Sequence, residues 1–347
     1  AMAGPVFVRG RPPPPPLPTI ANALRIVGRN FGEFTFPWIT QPSQEGGSRT
    51  APTQLMLYWS VRVASALLMV IPVRLSYALA GAIGEAYCFV RPSHSRWAAF
   101  NLARVLNEPD TSPYVRKVAR QSFGNYARVL VDFFRMPYAA HADINAHASV
   151  TGTEHLARAA AEGKGFIVAT GHMGSWDRAG AVFTGFGYQV SVLVDTFSPP
   201  ELDHWVTRMR RKFKMNAIAV EKPGALREIY RVLQRGEALV VLVDTPDPRG
   251  IPVTFFGERT TFPAGVAQLA LRTGCPVIAA ALFRRPDMVT YDGFCELVSL
   301  GTADADPPAD AAMLTQRIAT ALERAIVAHP AQWYMFRPLW PGGRAKD

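Results

Sequence analysis

The sequence predicts an α/β fold: a mixed sheet flanked by helices, preceded by an N-terminal helical segment suited to a membrane surface. Three observations predict it. From about residue 150, short apolar runs at 166–170, 189–194, 238–243 and 276–282 alternate with helical patterns, as in a sheet covered by helices. Proline and glycine punctuate the helices expected at 223–235, before Gly236, and at 263–272, near Gly274; proline at a helix start and glycine past its end are the usual signals. Upstream, the chain is rich in long apolar and basic stretches without strand-like alternation.

Taken in order, residues 11–18 are dominated by proline and read as polyproline II or disorder. Residues 22–38 carry Leu24, Ile26, Phe31, Phe34, Phe36 and Trp38, too apolar for a plain linker; a polar Gly/Ser/Pro stretch fills 41–53. Residues 1–53 are therefore expected to stand apart from a domain at 54–347, helical over 54–149 and α/β over 150–347. The apolar run 55–71 ends at Pro72 and holds Arg62 near its middle. A spanning helix needs about 20 apolar residues, and a central Arg costs roughly 2.5–3.5 kcal/mol. An interfacial or buried helix is the better reading, with Tyr58 and Trp59 near one end. A basic stretch at 91–104 contains Trp97 and Phe100, and either a solvated helix face or a headgroup-facing surface accounts for it. At 116–135, Ala119, Phe123, Tyr126, Leu130 and Phe134 recur at helical spacing; Leu314, Ile318, Leu322 and Ile326 do so in a last helix at 311–328.

Of the 347 residues, 49% are hydrophobic and only 18% charged, below the roughly 25% of soluble domains, so apolar surface is expected. The net charge of +10 calls for anionic partners: nucleic acid, lipid headgroups or phosphorylated carriers. Dispersed arginine, with no aromatic RNA-binding signature, zinc-knuckle spacing or helix-turn-helix pattern, disfavours nucleic acid. Cys88, Cys275 and Cys295 make no close pair, which suits a reducing compartment. No cluster has metal-ligand spacing, and no basic-then-apolar opening marks a secretory signal.

The chemistry-bearing segment is Gly165-Phe-Ile-Val-Ala-Thr-Gly-His172-Met-Gly-Ser-Trp-Asp177. It reads as strand, turn, helix, with His172 just past the strand, where α/β sheets place ligands. Gly171 and Gly174 permit a tight turn, and Ser175 suits the helix N-cap. On one regular helix His172 and Asp177 would lie about 140° apart. They meet only if the histidine precedes the helix and the carboxylate points back. So placed, Asp177 would fix the tautomer while His172 takes a proton from an attacking hydroxyl. Seven histidines and 27 acidic residues give about half of one such pair by chance, so context must carry the motif. The bland reading is an Asp in a helix first turn. No G-x-S-x-G elbow is present, against a serine hydrolase.

Two further constellations are candidates. Asp244 follows the run 238–243, again where a site would lie, or it opens the turn into Thr245-Pro246. Glu258 and Arg259 sit in a glycine-containing turn leading to the helix at 263, with Arg259 a phosphate ligand or both residues an exposed turn. Arg208 and Arg211, with Arg210, Lys212 and Lys214, form a basic run interleaved with Trp205, Met209 and Phe213. It fits a phosphopantetheine carrier, anionic lipid, or a solvated helix face.

Over roughly residues 54–341 the sequence resembles the bacterial lipid A late acyltransferase and phosphatidylinositol mannoside acyltransferase group. The resemblance rests on Asn101-Leu102, Phe123-x-x-Tyr126 with Asp132-Phe133, and His172-x4-Asp177. It continues through Phe255-Phe256-Gly257-Glu258, Pro263-Ala-Gly265 and Gln332-Trp333-Tyr334; the Met335-Phe336-Arg337-Pro338 ending leans toward the mannoside branch. It implies an acyl-CoA or acyl-carrier-protein donor as co-substrate, a glycolipid hydroxyl acceptor, no metal and no other cofactor. It also implies a catalytic His172–Asp177 pair with Glu258 near the histidine, on the cytoplasmic face of the cell membrane. Gly174, Ser175, Arg208, Arg211, Asp244 and Arg259 are the expected substrate-binding residues, the Gly171–Ser175 turn and Arg259 as donors to a developing oxyanion. A non-catalytic lipid-binding protein of the same fold, or a thioesterase or lipid hydrolase, are the alternatives.

Overall fold

The computed structural model describes residues 51–301, 304 and 309–341; the apolar stretch at 22–38 lies outside them. The chain opens with four helices, α1 (Ala51–Val70), α2 (Val73–Val90), α3 (Pro92–Leu106) and α4 (Pro113–Arg135). Proline starts α3 and α4, where its missing N–H costs nothing. A short α5 (His141–Ala146), β1 (Ala148–Thr151) and α6 (Thr153–Ala161) lead into the sheet proper. There β2 (Phe166–Thr170), α7 (Trp176–Gly185), β3 (Val190–Val194), α8 (Pro200–Lys212), β4 (Met215–Ala219), α9 (Ala225–Gln234) and β5 (Ala238–Leu242) alternate. A hairpin, β6 (Ile251–Phe255) and β7 (Glu258–Phe262), precedes α10 (Gly265–Thr273), β8 (Val277–Arg284), β9 (Tyr291–Ser299) and α11 (Ala311–Ala328).

Seven strands form one sheet in the order β1-β9-β8-β2-β5-β3-β4. All neighbours are parallel except β8 and β9. A strand's side chains alternate between faces, and both faces of β2 are covered. Phe166 and Val168 pack with Val182 of α7 and Val206 and Met209 of α8. Ile167 and Ala169 pack with Val232 of α9, Leu269 of α10 and Ile318 of α11. Helix α4 joins both cores: Val118 and Phe123 enter the second, Phe133 and Phe134 the first.

Among the described residues no helix is long and apolar enough to cross a membrane. α1 buries Val61 and Ser65 against the domain, and the Ser65 hydroxyl donates to the Phe134 carbonyl. Met56, Trp59, Val63, Leu67 and Val70 stay exposed on it, as do Leu75, Leu79, Ile83, Phe89 and Val90 on α2 and at its end.

The helical layer is tied to the sheet by one buried carboxylate. Asp132, on the inner face of α4, accepts hydrogen bonds from Tyr77 Oη (2.6 Å), Tyr291 Oη (2.8 Å), Ser175 Oγ (3.0 Å) and the Arg284 guanidinium. Burial alone would push its carboxyl up; Arg284, Arg178 and the hydrogen bonds outweigh that and hold it below the usual carboxylate range. Removing one member of such a pair strands a buried charge, typically at a cost of about 3–5 kcal/mol. Arg284→Met is therefore expected to lower unfolding free energy by about 3–5 kcal/mol in urea titration; a loss within ~0.5 kcal/mol would mean that the cluster does not hold the layers together.

Candidate active site

The sheet's register builds the site. β2 and β5 are adjacent and parallel, with Thr170 opposite Leu242. Two residues further on, each chain leaves its strand, at His172 and Asp244. They meet at the carboxyl end of the sheet although 72 positions apart: His172 Nδ1 lies 2.7 Å from Asp244 Oδ1. The other oxygen, Oδ2, accepts from the His172 backbone N–H at 2.9 Å and from Trp333 Nε1–H at 3.0 Å. His172 is 1% and Asp244 0% exposed, so none of these bonds is weakened by competing water. Burial acts to raise the Asp244 carboxyl, but the imidazole and the three donors prevail and hold it below the usual range. With Nδ1–H donating to this carboxylate, the basic lone pair is on Nε2.

Two glycines make the turn possible. A Cβ on Gly171 would fall 2.7 Å from Asp244 Oδ2, where the carboxylate must approach. Gly174 has φ +58°, and a Cβ there would lie 2.1 Å from the Leu282 carbonyl oxygen. The segment after α11 clamps the turn: Gly174 N–H donates to the Gln332 carbonyl (2.9 Å), and Tyr334 N–H to that of His172 (2.8 Å).

The structure corrects several expectations. Asp177 does not turn back to His172. It sits in the first turn of α7 and receives Arg210 Nε at 2.8 Å; the carboxylate that meets the His172 ring is Asp244. Ser175 holds the N-cap position without capping; its hydroxyl goes to Asp132. The backbone N–H groups of residues 172–175 are engaged by Asp244, Gly171, Gln332 and Leu282, so these four are not free to meet an oxyanion. Glu258 is not beside the histidine: it pairs with Arg104 at 2.9 Å on the surface, its side chain 48% exposed. Arg259 lies opposite Thr254 on the exposed side of the β6–β7 hairpin, whose Phe255 and Phe256 back Trp333. Arg208 and Arg211 are exposed on α8, on the side away from Arg210.

Beside His172, the Trp176 ring (6.2 Å between centroids) opens onto a cavity. Its walls are Val61 of α1, Tyr126, Leu130, Phe133 and Phe134 of α4, and Phe197, Leu202 and Val206 on the α8 side. Ser175 and the Asp177–Arg210 pair are the polar parts of the lining. Among the described residues there is no group of His, Cys, Asp and Glu that would hold a metal ion. All three cysteines are buried thiols; burial pushes Cys295 up to about 12 and raises Cys275 as well. Neither is a ready nucleophile.

Sequence reasoning missed the parts played by Asp132 and Trp333. Asp132 stands between Val131 and Phe133 in an apolar stripe, which is a readable signal: a carboxylate there must be paired. For Trp333 no local pattern marks a hydrogen bond to a residue 89 positions away.

A mixed sheet with a buried His–Asp pair past its central strands, beside an apolar cavity, defines an α/β protein with a candidate active site at the carboxyl end of its sheet. The chain belongs to the bacterial lipid A biosynthesis acyltransferase family, whose model matches residues 46–341. It is similar to the phosphatidylinositol mannoside acyltransferase of Mycolicibacterium smegmatis, 29% identical over 247 residues, covering 69% of this chain and 77% of that protein. The Mycobacterium tuberculosis protein of the same description is 28% identical over 249 residues, covering 69% and 75%. The chain is thus an acyltransferase of this lipid-biosynthetic family.

Asp244 gives a pH prediction. Because its folded-state pKa is depressed, its contribution to stability is present above the unfolded carboxylate value of about 3.9 and is lost as pH falls through the lower folded value. The stability gap between wild type and Asp244→Asn, measured by denaturant titration, should shrink as pH falls below about 4. A gap that holds or widens below about pH 4 would contradict the ionised, bonded state.

Proposed function

We propose that the protein transfers a fatty acyl group from an acyl-CoA or acyl-carrier-protein thioester to a hydroxyl of a membrane glycolipid, with a phosphatidylinositol mannoside-like acceptor favoured. The observation that carries the mechanism is the buried His172–Asp244 pair beside the apolar cavity. His172 Nε2 takes the acceptor's proton as its oxygen bonds to the thioester carbonyl carbon; the C–S bond then breaks and the departing thiolate receives that proton. Asp244 holds the imidazole in the productive tautomer and stabilises the imidazolium between the two transfers. The acyl chain lies between α4 and α8. Asp177 and Arg210, polar on the cavity wall, meet the acceptor's hydroxyls. The Ser175 hydroxyl is engaged by Asp132 and the thiols are buried, which favours direct attack over an acyl-enzyme.

The acceptor is a lipid, and the exposed apolar faces of α1 and α2, with the net charge of +10, suit a peripheral or monotopic seat on the anionic cytoplasmic leaflet. The acceptor preference follows the two mycobacterial relatives, described as phosphatidylinositol mannoside acyltransferases.

The mechanism is tested with radiolabelled acyl-CoA or acyl-carrier protein, with and without extracted polar lipid. His172→Ala is expected to abolish lipid labelling. Asp244→Asn should cut turnover by about 10⁴-fold, as the equivalent change does in a Ser-His-Asp triad; Asp177→Asn, which also weakens the pairing of the buried Arg210, should raise acceptor KM and lower stability. Stable label on the protein, or label released only as free fatty acid when lipid is present, would rule out direct transfer to a hydroxyl. For the membrane seat, flotation should recover the protein with anionic vesicles at low salt and less at high salt, and Trp59→Glu with Leu67→Glu should lower recovery several-fold. Equal recovery with neutral and anionic vesicles, or indifference to the glutamates, counts against that seat.

A further inference from the structure

Helix α8 separates two hollows of opposite chemistry. Its Leu202, Val206 and Arg210 line the apolar cavity beside Trp176. Its other side, with His204, Thr207, Arg208 and Arg211, lines a polar hollow of about 480 Å³. Asp203 lies on the same wall, and Val194 and Ala219, at the carboxyl ends of β3 and β4, with Thr196, Ala217 and Lys222 complete that hollow. Carboxyl ends of parallel strands are where such sheets place ligands.

The charges there are unbalanced. Asp203 lines the hollow and Glu221 adjoins Lys222; both stay negative while accepting from neutral donors, Asp203 Oδ1 from the Phe197 N–H at 3.1 Å and Glu221 from the Thr196 N–H at 2.9 Å and its hydroxyl at 2.5 Å, so three cations stand against two carboxylates. Among the described residues, Arg208, Arg211 and Lys222 have no carboxylate partner. Cations held around one hollow repel one another, and an anion among them is attracted by all three. Guanidinium forks match phosphate oxygens in pairs, and an ammonium adds a point charge.

The geometry points to a phosphate-ester site formed by Arg208, Arg211 and Lys222, with the Thr207 hydroxyl as a further donor. It deepens the acyl-transfer reading and rests on it for the identity of the molecule bound. Neighbouring residues serve the two hollows in turn, Thr196 the basic one and Phe197 the apolar one. A substrate with phosphate at one end and an acyl chain at the other fits that arrangement. Both the nucleotide end of a coenzyme thioester and the headgroup of an anionic glycolipid carry the required chemistry.

Calorimetric titration of the full chain at low salt, with adenosine 3′,5′-bisphosphate and separately with glycerophosphoinositol, tests the site. At least one probe is expected to bind at one equivalent. The Arg208→Ala/Arg211→Ala variant should weaken that binding at least ten-fold, and the Lys pair should restore part of it. Both arginines are exposed, so the variants should keep the wild-type unfolding midpoint. Tighter binding of the bisphosphate assigns the site to the donor; tighter binding of glycerophosphoinositol assigns it to the headgroup. Binding of neither probe, or binding indifferent to the alanine pair, overturns the site. The two readings fail separately. Lipid labelling that needs His172, alongside probe binding that ignores the arginines, removes only this site. Probe binding that needs the arginines, with no acyl transfer by wild type, removes only the transferase mechanism.

Discussion

A carboxylate with none of its surface in water must have its lone pairs met by protein donors or give up its charge. Asp244 is in that position, and much of the surrounding structure follows from it. Its donors are the ring and backbone of His172 and the indole of Trp333, supplied by the end of β2 and by the segment after α11. Each donor needs support of its own. Gly171 leaves room for the carboxylate, and the Phe255 and Phe256 rings of the hairpin pack on Trp333. The arrangement that keeps the aspartate charged is also the one that sets the imidazole.

The same rule operates a second time at Asp132, with a different consequence. Its partners come from α2, the α7 N-terminus, β8 and β9, so the helical layer and the turn carrying His172 are fixed to one charge. Asn101 of α3 extends the linkage, donating to the carbonyls of Met335 (2.9 Å) and Arg337 (2.6 Å) behind Tyr334. Helices whose outer faces are apolar are thus mechanically continuous with the turn that carries His172, and α1 and α4 also supply Val61 and the aromatic wall of the cavity.

α8 shows how one amphipathic helix serves two environments. Leu202, Trp205, Val206 and Met209 recur at helical spacing and are buried, and Arg210 enters that face only because Asp177 receives it. An unpaired guanidinium there would be expelled to solvent. Arg208 and Arg211, without such a partner, stay on the outer side. The run that looks uniformly basic in sequence therefore divides between a buried ion pair and an open groove.

The sequence by itself determined the layered α/β architecture, because periodicity and punctuation are local. The strand at Phe166–Thr170 and the helix at Ala311–Ala328 have the bounds their patterns predict. It also marked His172 and Asp244 separately, each just past an apolar run. The glycine-containing turn was legible, but the strands β6 and β7 on either side of it were not, because that turn, Phe256-Gly257, carries an aromatic residue at φ +50° where Asn or Asp is usual in a hairpin. Which acid serves the histidine was decided only in three dimensions. His172 and Asp177 are close in sequence, but a helix N-terminus lies between them and Arg210 draws the carboxylate away. Asp244 reaches the imidazole because β5 pairs beside β2, and strand order depends on the packing of the whole sheet, which no window of sequence contains.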